Sequence, residues 1–141
     1  MISTTNTVGI IGEQAAILAF VSHGYQVSTP VGNNARYDLV VDIDGRFVRI
    51  QVKTTQCVKN GLMVFGTCKS NPYKHEGIRY NKNEVDFFAL YCIENGYLGL
   101  FPVSEQSLKQ TTLRLEKPRS KQRANVKFAD DYEFNKMIGM L

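Results

Sequence analysis

One dipeptide constrains this 141-residue chain more than any other: Asp44-Gly45, set between two alternating apolar and polar runs, Tyr37–Ile43 and Arg46–Lys53. Asp-Gly accepts positive φ at both central positions of a tight turn, so the pattern predicts a two-residue β-hairpin. Such a turn pairs Ile43 with Arg46 and, stepping outward, Asp38 with Gln51. Side chains alternate faces along a strand, and cross-strand partners share a face. One face then carries Leu39, Val41, Ile43, Val48, Ile50 and Val52, apolar throughout except for Arg46 at the turn. That face must be core. The other carries Asp38, Val40, Asp42, Phe47, Arg49, Gln51 and Lys53.

Around the hairpin the chain reads as one α/β domain over residues 1–141: a helix, then a mostly antiparallel sheet, then smaller elements. Thr7 to His23 is expected to be helical, with Ile10, Ile17, Phe20 and Val21 as its apolar stripe and Gly24 as its stop. Tyr25 to Thr29 predicts a short strand, and Pro30 to Ala35 a loop. Further strands are expected over Leu62 to Thr67, Asp86 to Ile93, Tyr97 to Phe101 and Thr111 to Leu115. Val103 to Leu108 predicts a short helix, and Asp130 to Met140 a terminal one. Cys68 to Glu84 reads as a polar loop, and residues 116–128 as a basic, mobile segment containing Pro118.

The charge is uneven. Of the net +4, the segment Lys69–Lys82 holds four basic residues against Glu76, and Arg114–Lys127 holds six against Glu116. Positive charge gathered on loops suits a polyanion such as double-stranded DNA; the alternative reading is solubility. There is no run of the roughly 18 apolar residues a membrane span needs and no secretory signal pattern, so the expectation is a cytoplasmic protein with no membrane partner. Three cysteines do not make a disulfide framework, and Cys57, Cys68 and His75 fit no common zinc spacing.

The polar face of the hairpin carries the chemistry. Asp38, Gln51 and Lys53 cluster there by register alone. Metal-assisted phosphodiester cleavage needs oxygen donors beside a cation, because a divalent ion activates water and neutralises charge building on the phosphate. The Asp38 carboxylate, the Gln51 amide oxygen and a carbonyl near Val52 are candidate ligands for magnesium (or manganese). Lys53 is placed to orient the attacking water or to bind the phosphate as a point charge. Glu13 lies in line with the helix stripe, three residues after Ile10, where a carboxylate is costly unless it is paired or bound to a metal. Each residue also has a plainer reading. Asp38 and Lys53 make an exposed sheet pair, Gln51 a surface amide, and Glu13 a helix-start acid favoured by the dipole. Arg36 and Arg49 are either phosphate contacts or solvated charges, and Asp42 belongs to the exposed turn.

At these residues the sequence resembles the PD-(D/E)xK nuclease superfamily. The motif stands as Tyr37-Asp38, a twelve-residue spacer, then Gln51-Val52-Lys53, preceded by Gly12-Glu13 on the first helix. The resemblance implies a restriction-endonuclease-like core, a central mixed sheet flanked by helices, with magnesium-dependent cleavage of DNA. Within the superfamily the chain is similar to the group I intron-encoded homing endonucleases of this fold, through Gly24-Tyr25, Arg36-Tyr37-Asp38, Arg49 to Thr54, Phe65 to Cys68, Asp86 to Ala89 and Leu113 to Leu115. It runs from about residue 8 to 134. It implies Glu13, Asp38, Gln51 and Lys53 as the active site and a symmetric homo-oligomer, dimer or tetramer. DNA contacts are expected from Arg36, Arg49, Lys69, Lys74, Arg79, Tyr80, Lys82, Arg119, Lys121 and Arg123. Two departures stand out: Tyr37 replaces the motif's proline, and Gln51 replaces its second acid. The competing readings are a Holliday-junction or repair nuclease of the same fold, a DNA-binding module without catalysis, and a structural or inhibitor protein.

Overall fold

A computed structural model describes residues 4–69, 78–107, 109–116 and 126–141, leaving aside the side chains of 68, 69, 78 and 79. In chain order its elements are α1 (Thr5–Ser22), β1 (Gln26–Ser28), β2 (Leu39–Ile43), β3 (Arg46–Thr55), β4 (Leu62–Gly66), β5 (Cys68–Lys69), β6 (Ile78–Arg79), β7 (Phe87–Cys92), β8 (Leu98–Pro102), β9 (Gln110–Arg114) and α2 (Phe134–Met137). The main sheet has the order β1-β2-β3-β7-β8. Its ladders are antiparallel except β3–β7, which is parallel. The result is the mixed, mostly antiparallel sheet expected of a PD-(D/E)xK core. Among the described residues no helix is long and apolar enough to cross a membrane.

The hairpin forms as its turn chemistry demands. Asp44 and Gly45 have φ of 54° and 86°, and Asp42 accepts a 2.7 Å hydrogen bond from the Gly45 amide, so Asp42 belongs to the turn. Ile43 pairs with Arg46, and the register runs outward to Leu39 and Ile50. The sheet buries both faces. On one, Leu39, Val41, Ile50, Val52, Ala89 and Leu100 pack against Ala16 and Phe20 of α1 and against Phe134 and Met137. On the other, Phe88, Leu90 and Phe101 pack against Met63, Phe65 and Leu113 of the separate β4–β9 ladder. Burying either phenylalanine set contributes about 1.5–3 kcal/mol per side chain.

Several sequence expectations are corrected. The buried face of α1 is Val8, Gly12, Ala16 and Phe20, a spacing of four, while Ile10 and Val21 stay about half exposed. Small residues win this face because they let the helix lie close to β3. The stretch Cys68–Glu84 is not all loop, since β5 and β6 pair within it; residues 70–77 lie outside the described residues. The short helix after β8 is a single 3-10 turn over Val103–Glu105, ended by extended backbone at Gln106. The terminal helix is broken into 3-10 turns on either side of the one-turn α2. The break is at Glu133, which is held extended by a bridge to Gly99; tertiary pairing there overrides helical propensity.

Candidate active site

The site forms where β2 parts from β3. Leu39 is the register partner of Ile50, yet the Asp38 amide also donates to the Ile50 carbonyl at 2.8 Å. Two residues of one strand therefore face one of the other, the geometry of a β-bulge, which bends the strand and re-aims a side chain. This corrects the extrapolated pairing of Asp38 with Gln51. Rather than standing on the polar face, the Asp38 carboxylate turns into the ladder and accepts a 2.8 Å hydrogen bond from the Val52 amide. That amide is the next β3 donor on the side that β2 has vacated.

The placement of the backbone carbonyl near Asp38 follows from the same ladder. Within a strand the N–H and C=O of one residue point to the same side. On β3, Arg49 and Thr55 offer their carbonyls to Asp86 and Ile93, at the two ends of β7, whereas Ile50 and Val52 face β2. The Val52 carbonyl consequently opens onto the gap beside Asp38. Gln51 and Lys53 occupy the opposite parity, half-buried on the second face of β3. Glu13, half-buried on α1, follows Gly12, whose lack of a side chain lets the helix rest on Thr54.

Electrostatics tie these groups together. Burial, then the negative charge of Asp38, raises the Glu13 carboxyl above its ordinary value. Burial likewise raises Asp38, and the Val52 hydrogen bond and the charge of Lys53 offset this only in part. Two carboxylates are thus held close and partly desolvated, with more negative charge than Lys53 neutralises. A polar cleft of about 360 Å³ opens beside them, lined in part by Glu13, Pro30, Asn33, Tyr37 and Asp38. Among the described residues no three His, Cys, Asp or Glu side chains gather in one place. The candidate donors named from the sequence are the two carboxylates, the Gln51 amide and the Val52 carbonyl; of these, Glu13 and Asp38 are coupled to one another through charge. All are oxygens, the hard ligands that magnesium and manganese accept, so the residues present fit a divalent ion.

The expected DNA-contacting residues separate. Tyr80 is buried, 5% exposed, and the Lys53 ammonium donates to its hydroxyl at 3.1 Å. Arg49 is engaged within the chain. Its side chain donates to both Asp86 oxygens at 3.0 and 2.9 Å and to the carbonyls of Asn83 and Lys82. Arg36 lies 3.5 Å from Glu84. Lys82 is exposed. The backbones of Lys69 and Arg79 belong to β5 and β6, while Lys74, Arg119, Lys121 and Arg123 lie outside the described residues. The Lys53–Tyr80 contact and the Arg49–Asp86 pair were missed from sequence, though the alternation that puts Arg49 on the face of Gln51 and Lys53 was already a signal.

A family model described as PD-(D/E)XK endonuclease matches residues 3–135. Among solved structures, the chain is similar to a bacterial homing endonuclease, I-Ssp6803I, at 23% identity and a TM-score of 0.71, covering 99% of this chain and 91% of that one. It also aligns with Hjc, a Holliday junction resolvase from the archaeal hyperthermophile Archaeoglobus fulgidus, at 14% identity and a TM-score of 0.47, covering 75% of this chain and 83% of that one. No curated protein sequence matches the chain.

Proposed function

The chain belongs to the PD-(D/E)XK endonuclease family, and from that premise we propose that it is a divalent-metal-dependent endonuclease of the homing type, hydrolysing both strands of duplex DNA at a specific sequence. The observation that carries the reading is the Asp38 carboxylate, locked by the Val52 amide at 2.8 Å within electrostatic reach of both Glu13 and Lys53. Similarity of fold to a bacterial homing endonuclease supports it.

In this reading Asp38, Glu13, the Gln51 amide oxygen and the Val52 carbonyl hold magnesium or manganese. When bound, the ion supplies Lewis-acid charge that stabilises the negative phosphodiester transition state. The chain's own residues do the rest. Asp38 and Glu13 give up repulsion that the bare site stores. Gln51 contributes an oxygen without charge, leaving the site one negative charge short of the motif's usual pair of acids plus a helix acid. Lys53 presents its ammonium to a non-bridging phosphate oxygen or to the water in line with the scissile bond. Cutting two strands takes two such sites, so the working form is a symmetric homo-oligomer, a dimer or tetramer on a palindromic or near-palindromic target. Lys69, Lys82, Arg79 and the basic stretch carrying Arg119, Lys121 and Arg123 supply phosphate contacts.

The test is to incubate purified protein with magnesium and a randomised plasmid library, then map the ends. Double-strand breaks at one recurrent sequence are the expected result. Cutting confined to four-way junctions assigns the junction-resolving alternative. Salt-sensitive DNA binding with no breaks at any metal concentration assigns the non-catalytic module, which the amide at Gln51 favours.

A further inference from the structure

We propose that Tyr80 is the positioning residue for Lys53, holding its ammonium at the active site rather than contacting DNA. The inference rests on the nuclease reading of Lys53. A strand fixes the lysine's Cα, but its flexible four-carbon stem leaves the ammonium free to swing unless something holds it. An ammonium meant to meet a phosphate oxygen needs a fixed partner, and Asp38 acts on it through charge.

Tyr80 has the geometry of that partner. Its hydroxyl oxygen lies 3.1 Å from Lys53 Nζ, and the same nitrogen is 4.9 Å from the ring centroid. The ring is fixed from several directions. Phe88 meets it edge-on, with centroids 5.5 Å apart and planes at 86°. The Arg36 guanidinium lies 4.7 Å from its centroid, and Gln106 donates to the Tyr80 carbonyl. With only 5% of its surface exposed, Tyr80 has little area to offer a nucleic acid. An ammonium has three donors, so one spent on the phenol leaves two for the substrate.

Tyr80→Phe keeps the ring and its packing on Phe88 but removes the acceptor. At saturating protein, single-turnover cleavage of the mapped DNA site should fall roughly 10- to 100-fold, with DNA affinity and melting temperature essentially unchanged. Weaker DNA binding with an intact saturated rate assigns Tyr80 to DNA contact and overturns the proposal, as does an unchanged rate. A second measurement needs no cleavage: NMR relaxation of the Lys53 ε-methylene in protein without DNA or metal. The expected result is an ordered methylene in the wild type that becomes more mobile in Tyr80→Phe, where only the contact with the ring remains. Equal order in both proteins overturns the contact. If the wild type cuts no DNA but Lys53 loosens in the variant, the nuclease reading fails while the Tyr80–Lys53 anchor stands.

Discussion

Gly12 of α1 lies directly on Thr54 of β3: a Cβ added to Gly12 would overlap the Thr54 hydroxyl and sit 3.0 Å from its Cβ. The Thr54 hydroxyl is buried and has no hydrogen-bond partner among the described residues. The contact sets how close α1 comes to the sheet, and therefore where Glu13, the next residue, stands relative to Asp38.

Gly12→Ala should therefore be harmful despite alanine's better helix propensity. Overpacking costs about 1–3 kcal/mol, against about 1 kcal/mol recovered from propensity. Cleavage should fall by more than the stability loss explains, because Glu13 is lifted with the helix. Thr54→Ala removes an unsatisfied hydroxyl and should be nearly neutral. The double variant should recover part of both losses, because the hydroxyl overlap is gone while the Cβ of residue 54, 3.0 Å away, remains. Denaturant melts and cleavage rates on the three proteins check this, and a double variant as damaged as Gly12→Ala alone would contradict it.

Asp38→Asn should abolish cleavage and leave DNA binding largely intact, and Lys53→Ala should do the same. Retained cutting by either refutes the site. Asp38→Asn should also stabilise the metal-free protein at neutral pH. Both Asp38 and Glu13 titrate above their ordinary values when folded, so the stability they contribute is present below about pH 4, their unfolded range, and is lost as pH rises through the raised folded values. Above those folded values both are charged and repel. Melting curves with and without magnesium read this directly: the ion should raise the melting temperature of the wild type and move the variant little.

Gln51→Glu restores the acid that the family motif usually carries. If the amide is simply a weaker oxygen ligand, activity should survive and half-maximal cleavage should come at a lower magnesium concentration. A magnesium titration of cleavage rate decides it, with a rightward shift arguing that Gln51 does not reach the ion.

Asp86 provides a pH test away from the cleft. Burial raises its carboxyl, but hydrogen bonds from the Arg49 side chain and backbone, together with that residue's charge, outweigh burial and leave it below its ordinary value. A depressed carboxyl adds stability that is present above the unfolded value near pH 4 and lost as pH falls through the folded one. Asp86→Asn should cost about 1–2 kcal/mol at neutral pH, allowing for the pair's partial exposure. The gap to wild type should close below pH 4. A gap that stays constant down to pH 3 would assign the loss to packing.

Much of this was legible in the residues. Asp44-Gly45 determined the turn, the alternation around it determined which face is core, and the apolar runs at Phe87–Cys92 and Leu98–Pro102 determined two further strands. Glu13, Asp38 and Lys53, which interact through charge in the fold, were recognisable as two acids and one ammonium. Asn60-Gly61, both at positive φ, is a turn signal of the same kind that went unread. Local steric and solvation preferences act over a few residues, so sequence carries them openly.

Tertiary structure alone decided the rest. Alternation put Asp38 across from Gln51 on one shared face, whereas the bulge at Ile50 turned its carboxylate into the ladder, onto the Val52 amide. The stripe of Ile10 and Val21 lost to the small residues Gly12 and Ala16 because close approach to β3 was available only to them. Tyr80 left the surface for Lys53. In each case the outcome depended on a partner distant in the chain, where packing and hydrogen-bond completion outweigh the local pattern. No period read along one strand or helix contains that partner.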